Sequence, residues 1–326
     1  MTTRCISVVI PTWNGKNLLI ECLKSLDAQV FPECEIVVVD DGSTDGTAEF
    51  ILDSRELDNV TLVALPENSG FCAAVNAGLK RTHSELILVL NNDMTLEPDF
   101  VAKLVRAADT SDADMFAPLV LWRDDPSTIY SAGDRQLVNG RPESIGFRCP
   151  LDGFAFPDAI FGVSAGAALY RRDVFACVNL LDESFVAYFE DSDLSFRARL
   201  AGLRAEFVRD AVAYHVGSAS LSDRTWWRAR QCYRNHALLV VKNMPARLLL
   251  RHGRAILAER WHQMGRLFSA ARAEFGAARA AAVTLEACGS MLRALPHALR
   301  ERRRIQKSRA IDIEELDALL TKDAYT

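Results

Sequence analysis

The stretch of residues 86–93 constrains the fold most, because five aliphatic residues run directly into two amides and a carboxylate. Leu86–Leu90 is apolar at every position, which predicts a strand buried on both faces, as in the interior of a parallel sheet. The strand is followed by Asn91, Asn92 and Asp93. Open α/β folds bind ligands at the carboxyl edge of the sheet. We therefore expect Asp93 at a ligand-binding edge.

The same pattern repeats along the first 120 residues. Aliphatic runs predict strands at residues 6–10, 36–39, 60–65, 86–90 and 115–121, and helical spacing predicts helices at 17–29, 72–81 and 101–108. This alternation predicts an α/β fold with a mostly parallel sheet and flanking helices. Residues 122–158 lack periodicity and are expected to form a long excursion of substrate-specific loops. A last strand is predicted near residues 205–208.

Composition limits what kind of protein this is. With 326 residues, 49% of them hydrophobic, the chain can bury a large core. Its eight cysteines are scattered without metal-type spacing, which predicts reduced thiols. The sequence has no signal-peptide pattern and no spanning apolar stretch. We expect a cytoplasmic protein, either free or peripheral at the inner face of the plasma membrane. The net charge of −5 argues against a nucleic-acid partner.

Charge is concentrated in the last part of the chain, where everything from Arg224 onward has helical spacing. Residues 244–309 hold fourteen arginines and lysines against four acids, a local net charge of +10. We therefore divide the chain into an α/β domain, residues 1–243, and a basic helical region, residues 244–326. That region is either a solvated helical bundle or an amphipathic face drawn to anionic lipid, and its charge favours the lipid interpretation. It could also mediate a homodimer.

Polar clusters follow strands or open helices at four places in the sequence. They are Asp40 with Asp41, residues 91–93, Glu190 with Asp191 and Asp193, and His215. Because the carboxyl ends of parallel strands share one edge, these clusters are expected to converge.

Each cluster also has a structural interpretation. Asp93 is either a turn cap or a carboxylate for Mg²⁺ or Mn²⁺, which prefer oxygen ligands. His215 is either a packed histidine or a second ligand that suits Mn²⁺. Asp40 is either a turn residue or a partner for a ribose or base. Acids at the start of a helix complement its dipole, but an ionised carboxylate there also serves as a general base.

Five motifs in order resemble a family 2 glycosyltransferase of the GT-A fold. The resemblance covers about residues 4–243 and rests on residues 7–15 (SVVIPTWNG), 39–47 (VDDGSTDGT), 68–78 (NSGFCAAVNAG), 91–93 (NND) and 190–191 (ED). It implies an inverting transfer of a sugar from a nucleotide-diphosphate donor. Neither GxGxxG after the first strand nor GxxxxGK is present, so dinucleotide binding and a P-loop are not supported.

The resemblance also assigns roles to residues. The family's nucleotide contacts map onto Pro11, Thr12 and Asp40, and Asn76 lies in its donor-side motif. Its Asp-x-Asp metal motif maps onto residues 91–93, where Asn91 replaces the first acid. Asn92 and Asp93 would then contact the donor, Asp93 and His215 would bind Mg²⁺ or Mn²⁺, and Asp191 would be the catalytic base.

Substrate and alternatives stay open at this level. The NND motif, residues 97–100 and the histidine motif, Tyr214 to Ser220, are most similar to rhamnosyltransferases, which suggests dTDP-rhamnose or a UDP-hexose as donor and a cell-surface glycan or lipid-linked acceptor. Residues 231–235 lack the Trp of the processive QxxRW motif, which argues for single or limited additions. The alternatives are a sugar nucleotidyltransferase and a non-catalytic nucleotide-sugar binding protein.

Overall fold

The structure is a computed structural model that describes residues 5–31, 34–53, 59–217 and 225–322. Its strands are β1 (Ile6–Thr12), β2 (Cys34–Asp40), β3 (Val60–Ala64), β4 (Leu86–Leu90), β5 (Met94–Leu96), β6 (Met115–Trp122), β7 (Ile129–Ser131), β8 (Asp134–Gln136), β9 (Pro142–Ser144), β10 (Ala167–Arg171) and β11 (Ala205–His215). Its helices are α1 (Lys16–Asp27), α2 (Thr47–Asp53), α3 (Phe71–Leu79), α4 (Phe100–Thr110), α5 (Arg172–Val178), α6 (Glu190–Leu200), α7 (Thr225–Asn243), α8 (Ala246–Arg251), α9 (Gly253–Phe275), α10 (Ala277–Lys307) and α11 (Ile313–Leu319).

A mixed sheet forms the centre of the molecule, with strand order β3-β2-β1-β4-β10-β6-β11-β5. The first four strands of this order are parallel. In contrast, β10 lies antiparallel between β4 and β6, and β5 lies antiparallel on β11. The predicted α/β fold with flanking helices is confirmed. The sheet is mostly parallel, as expected, but β10 and β5 run antiparallel to their neighbours.

Alternation along the central strands supplies two apolar cores. In β1, Val9 packs into one core, while Val8 and Ile10 pack into the other on the opposite face of the sheet. In β4, Ile87 and Val89 join the first core, and Leu86, Leu88 and Leu90 the second. Burial on both faces is the reason why these strands read as continuous aliphatic runs.

Two predicted regions are more ordered than their sequence suggests. Residues 122–158, expected as loops, contain β7, β8 and β9, and β8 pairs with β9 as a small separate sheet. The predicted strand at 205–208 continues as β11 to His215, with an irregularity between Val208 and Val212. The intervening Arg209 and Asp210 are exposed, so the polar interruption is a bulge within one strand.

The C-terminal helices are packed onto the sheet domain. Helix α7 ends at Asn243, where the sequence predicts a domain boundary. However, the core that contains Val9 and Val89 also contains Leu248, Ile305 and Leu316, so apolar packing crosses this boundary. Within the described part of the chain, the helices are too short or too polar to cross a bilayer.

Candidate functional site

A cavity of about 570 Å³ opens at the carboxyl edge of the sheet. Pro11 and Thr12, at the end of β1, and residues 91–93, which follow β4, line one side of it. The amide nitrogen of Asn92 donates a hydrogen bond to the Thr12 hydroxyl at 2.8 Å, which ties the two strand ends together. The cavity thus lies where parallel strands of an α/β sheet present their ligand-binding ends.

Strand pairing brings His215 to Asp93 across 122 residues of sequence. In the antiparallel pair of β5 and β11, His215 lies opposite Met94, the residue after Asp93. The amide of Val216 also donates to the Asp93 carbonyl at 3.2 Å. As a result, His215 Nε2 lies 3.0 Å from Asp93 Oδ1, and both side chains line the cavity.

Asp191 faces the same cavity because of the antiparallel strand β10. The turn before β10, residues 164–166, lies at the end of β4, where the Asn91 amide donates to the Gly166 carbonyl at 2.8 Å. From the same turn the Ala165 amide donates to Asp191 Oδ2 at 3.2 Å. Asp191 Oδ1 accepts from the Ser192 amide at 2.7 Å. The small residues of this turn allow the close approach that the bonds require.

Burial controls the protonation of three carboxyl groups around Asp191. Burial raises the pKa of Asp191, although its hydrogen bonds from Ser192 and Ala165 oppose the shift. Burial and then the charge of Asp191 raise the pKa of Glu190, whose Oε2 is buried without a hydrogen-bond partner among the described residues. Burial and then the charge of Asp191 raise the pKa of Asp134 to about 8. Burial therefore favours the protonated form of these carboxyl groups more than water does.

The loops after β2 and β3 also line the cavity. Asp41 accepts hydrogen bonds from the backbone amides of Ser69 and Gly70, at 2.7 and 2.9 Å. Gly70 has a φ of +91°, and a Cβ atom at this position would lie 2.9 Å from a Val186 methyl group. Only glycine meets both requirements without strain.

The cavity brings together six of the eight predicted site residues, namely Pro11, Thr12, Asn92, Asp93, Asp191 and His215. Asp40 and Asn76, the other two, do not line this cavity. Asp40 accepts from the Ser43 amide at 3.1 Å as a turn residue, and its neighbour Asp41 lines the cavity instead. The buried Asn76 amide binds Leu181 and Glu183, joining α3 to the segment before α6. The Ser218 to Ser220 part of the predicted histidine motif lies outside the described residues.

Aromatic side chains on the cavity wall were missed by sequence reasoning. Tyr130, Tyr188 and Trp227 line the cavity, and Tyr130 packs edge-on against the His215 ring at 4.2 Å between centroids. Tyr130 lies in the stretch without periodicity and Trp227 in a helix, so neither position carries a signal in the sequence. Their flat apolar faces suit a pyranose ring or a nucleotide base.

The side chains around Asp93 fit a divalent cation. Asp93 and His215 supply an oxygen and a nitrogen ligand, and Asn91 Oδ1 is buried in the cavity with no hydrogen-bond partner among the described residues. No group of three or more His, Cys, Asp or Glu side chains able to hold a metal occurs within the described ranges. A cation here would therefore need further oxygen ligands from a substrate, as Mg²⁺ commonly takes them from phosphates.

The fold and the carboxylate-lined cavity define an α/β protein with a ligand site at the carboxyl edge of its sheet. The model of glycosyl transferase family 2 matches residues 7–178. This match covers more than half of the chain, and the chain belongs to that family.

Individual relatives agree with the family. Over 220 residues the chain is 25% identical to EpsH, a putative glycosyltransferase of Bacillus subtilis, covering 66% of this chain and 61% of EpsH. Over 109 residues it is 36% identical to undecaprenyl-phosphate 4-deoxy-4-formamido-L-arabinose transferase of Pseudomonas fluorescens, covering 32% of each. In each case the chain spans less than two thirds of the curated relative that it matches.

A solved structure supports the fold at full length. The mannosyltransferase PcManGT from Pyrobaculum calidifontis, in complex with GDP-Man and Mn²⁺, has a TM-score of 0.57 and 20% identity. The alignment covers 94% of this chain and 86% of that one. The GT-A fold, expected from the sequence motifs, is therefore confirmed, including a helical extension after the sheet domain.

Proposed function

We propose that this protein is an inverting glycosyltransferase that moves a sugar from a nucleotide-diphosphate donor to an acceptor hydroxyl. One observation carries the proposal: Asp93, His215 and Asp191, which are far apart in sequence, line one cavity at the carboxyl edge of the sheet. This arrangement supports a phosphate and metal site beside a general base. Family membership and the fold of a GDP-mannose-binding relative support the same activity.

Donor binding would use the side of the cavity formed by β1 and β4. Pro11 and Thr12 line this side and would contact the nucleoside, and Asn92 and Asp93 line it and would contact the diphosphate. Asp93 and His215 would hold a Mg²⁺ or Mn²⁺ ion. When bound, this ion would neutralise the charge that develops on the departing diphosphate.

Asp191 is our candidate for the general base. Its carboxylate would accept the proton of the acceptor hydroxyl as that oxygen bonds to the anomeric carbon. The bond between this carbon and the diphosphate oxygen breaks at the opposite face, and its electron pair leaves with the nucleotide. The hydrogen bonds from Ala165 and Ser192 fix Asp191 for this role.

Two measurements test the proposal together. A screen of nucleotide sugars, by thermal shift with and without Mn²⁺ and by nucleotide release, should find at least one donor that stabilises the chain and is consumed. Asp191→Asn should then lower turnover by about a hundredfold or more while donor affinity changes little, as loss of a general base does. Stabilisation by no nucleotide sugar would overturn the proposed activity. Near-normal turnover of the Asn variant would remove only the role of Asp191.

The two alternatives predict different results in the same screen. A sugar nucleotidyltransferase would release pyrophosphate from a nucleoside triphosphate and a sugar phosphate. Pro11 to Lys16 lacks the glycine-rich, lysine-bearing loop which that class uses. A non-catalytic binding protein would bind a donor without consuming it, but retention of Asp93, Asp191 and His215 in one cavity favours catalysis.

For the substrates we propose dTDP-rhamnose or a UDP-hexose as donor and a cell-surface glycan or lipid-linked molecule as acceptor. The transferase of Pseudomonas fluorescens is named for an undecaprenyl-phosphate substrate, which supports a lipid-linked acceptor. Such an acceptor would bring the protein to the inner face of the plasma membrane. The aromatic wall of Tyr130, Tyr188 and Trp227 would pack against the acceptor or donor rings.

We also propose that the basic helical region lies on anionic lipid. Leu285, Leu292 and Leu299 are 72%, 59% and 47% exposed, and their spacing of seven residues puts them on one face of α10. The exposed Arg293 and Arg300 follow Leu292 and Leu299 in sequence and flank this apolar stripe. A helix with exposed leucines beside arginines suits the boundary between lipid headgroups and acyl chains. A homodimer through the same stripe is the competing arrangement.

A further inference from the structure

The segment between the 3-10 turn Glu183–Phe185 and α6 has an unusual backbone. Val186, Tyr188 and Phe189 have φ values of +65°, +68° and +71°. The left-handed region is unfavourable for L-residues other than Asn and Asp, and especially for β-branched valine. Such conformations persist only where the surroundings hold them.

This strained segment forms part of the candidate active site. Val186, Ala187 and Tyr188 line the cavity, and the segment runs directly into Glu190 and Asp191. Its conformation therefore sets the position of the candidate base and of one aromatic wall.

One side chain outside the segment binds it at three points. The Asn235 amide nitrogen, on α7, lies 2.9, 2.9 and 2.8 Å from the carbonyl oxygens of Phe185, Ala187 and Tyr188. Asn235 is completely buried. Because an amide nitrogen has two hydrogens, the three carbonyl groups share them.

A neighbouring arginine fixes the orientation of this amide. Arg234 Nη1 donates to the Asn235 Oδ1 atom at 2.8 Å and to the Ser184 carbonyl at 2.6 Å. The oxygen of Asn235 is thus satisfied by a donor, and its nitrogen must face the three carbonyl groups. Both residues belong to the stretch 231–235, where the sequence has Asn in place of the Trp of the processive motif.

We propose that Asn235 is a positioning residue that holds residues 185–189 in their strained conformation and so aims Asp191 into the cavity. This inference rests on the proposed role of Asp191 as base. Asn235 itself does not line the cavity, so it acts through the segment that it binds.

The chain offers variants that separate positioning from folding. In Asn235→Asp, a carboxylate faces three carbonyl oxygens and donates no hydrogen bond. Asn235→Gln keeps the amide on a longer side chain. His236→Gln is the matched control, because the adjacent His236 is equally buried on α7 but bonds to the Asn139 carbonyl.

The test compares turnover, donor affinity and local protection in the full chain. We expect Asn235→Asp to lower kcat at least tenfold, with a donor Kd within threefold of wild type. Asn235→Gln should lose less kcat than Asn235→Asp. His236→Gln should keep the wild-type kcat. Hydrogen–deuterium exchange of residues 185–189 should accelerate in Asn235→Asp but not in His236→Gln. This readout does not depend on activity, and it applies also to Asn235→Gln if the Asp variant does not fold.

Contrary outcomes are distinguishable from failure of the proposed function. Unchanged exchange of residues 185–189 in both Asn235 variants would overturn the inference, as would an unchanged kcat in Asn235→Asp when Asp191→Asn is inactive. An equal loss of kcat in His236→Gln would show a folding effect only. Full turnover of Asp191→Asn would instead remove the base on which the inference depends.

Discussion

At the scale of single residues, Asp134 and Asp191 form a pair whose protonation is linked. Asp134 is buried and Asp191 lies half-buried on the cavity wall, and the charge of Asp191 contributes to the raised pKa of Asp134. Asp134 lies in β8, where Ser144 donates to its Oδ1 at 2.9 Å. The proposed base therefore titrates as part of a pair.

This pairing predicts the pH dependence of the reaction. Because burial raises the pKa of Asp191, its base form is lost at a higher pH than that of an ordinary aspartate, and turnover should fall as pH drops through that raised value. Because the charge of Asp191 is one cause of the raised pKa of Asp134, which is about 8, Asp191 loses its proton while Asp134 is still uncharged. Asp134→Asn should therefore leave the acid limb of a kcat profile in place. Ionisation of Asp134 near pH 8 adds a second negative charge near the base, so wild-type kcat should change there, and this change should be absent in Asp134→Asn.

The control for this profile is Asp152→Asn, an exposed aspartate of the same excursion, which should keep both the acid limb and the change near pH 8. A change of kcat near pH 8 that persists in Asp134→Asn would contradict linkage between the two carboxyl groups. A shift in both variants would indicate a general effect of surface charge.

At the scale of elements, a buried lysine joins α7 to the segment that leads into α6. Lys242 Nζ lies 2.5 Å from Asp182 Oδ2 and 2.9 Å from Asp193 Oδ2. Burial opposes ionisation of both carboxyl groups, but Lys242 outweighs it for Asp182, and Lys242 with Arg197 for Asp193, so both pKa values are lowered. Removal of the lysine would leave two buried carboxylates with fewer partners.

We therefore expect Lys242→Met to reduce the free energy of unfolding by about 3–5 kcal/mol at pH 7, as for other broken buried pairs. Lowered carboxyl pKa values stabilise the folded state above the unfolded pKa of about 4. This contribution is lost as pH falls through the folded value. The difference between variant and wild type in urea unfolding should accordingly shrink below about pH 4.

Lys103→Met is the matched control, since Lys103 pairs with Asp99 at 2.9 Å on the surface of α4. Exposed pairs contribute about 0–1 kcal/mol, and this variant should unfold close to wild type. Equal stability of Lys242→Met and Lys103→Met would show that the buried network does not hold α7 on α6.

Elements also show how far the sequence can predict this fold. The apolar run Leu86–Leu90 predicts the first and last residues of β4 correctly. A strand that is buried on both faces is apolar at every position, so polar residues mark where it ends. The position of β10 in the sheet could not be predicted, because the sequence of a short strand does not indicate which strands it pairs with. The convergence of Asp93 and His215 is expected from the shared carboxyl edge and from the family resemblance. It depends on the antiparallel pairing of β5 with β11, which no sequence pattern indicates.

The missed site residues have the same cause. Tyr130 and Trp227 reach the cavity through tertiary packing, so no local pattern marks them. Asn76 is the opposite case, because it belongs to a recognised motif but does not line the cavity. Its side chain forms hydrogen bonds with the backbone of Leu181 in another segment. Residue type indicated the chemistry of the site, while topology decided which residues take part.

At the scale of the whole molecule, the excess positive charge of the C-terminal region is only partly neutralised. Arg247 and Arg251 pair with Glu314 of α11. Arg302 donates to the carbonyl groups of Val241 and Met244, at 2.8 and 2.6 Å, which fastens α10 to the end of α7. Arg293, Arg300, Arg303 and Lys307 lie exposed along α10. This leaves a cationic, leucine-bearing surface on the outside of the packed helices.

That surface predicts reversible membrane binding. We expect the full chain to sediment with vesicles that contain anionic phospholipid at low salt, to bind neutral vesicles weakly, and to be released at high salt, because exposed charges are screened within about 10 Å at 0.1 M. Leu285→Gln combined with Leu292→Gln should weaken binding about tenfold or more, since each leucine removed from lipid costs about 1.5–3 kcal/mol if fully buried there.

Leu52→Gln controls for the loss of an exposed leucine elsewhere, because Leu52 is 73% exposed on α2, and it should bind like wild type. Sedimentation velocity on the same proteins tests the competing arrangement. The leucine stripe would be assigned to a homodimer by two results together. The wild type would not bind anionic vesicles at low salt, and the double variant would be a monomer where the wild type is a dimer. Lipid binding by wild type that is lost in the double variant, with no change in oligomeric state, would assign the stripe to the membrane and bring the cavity close to a lipid-linked acceptor.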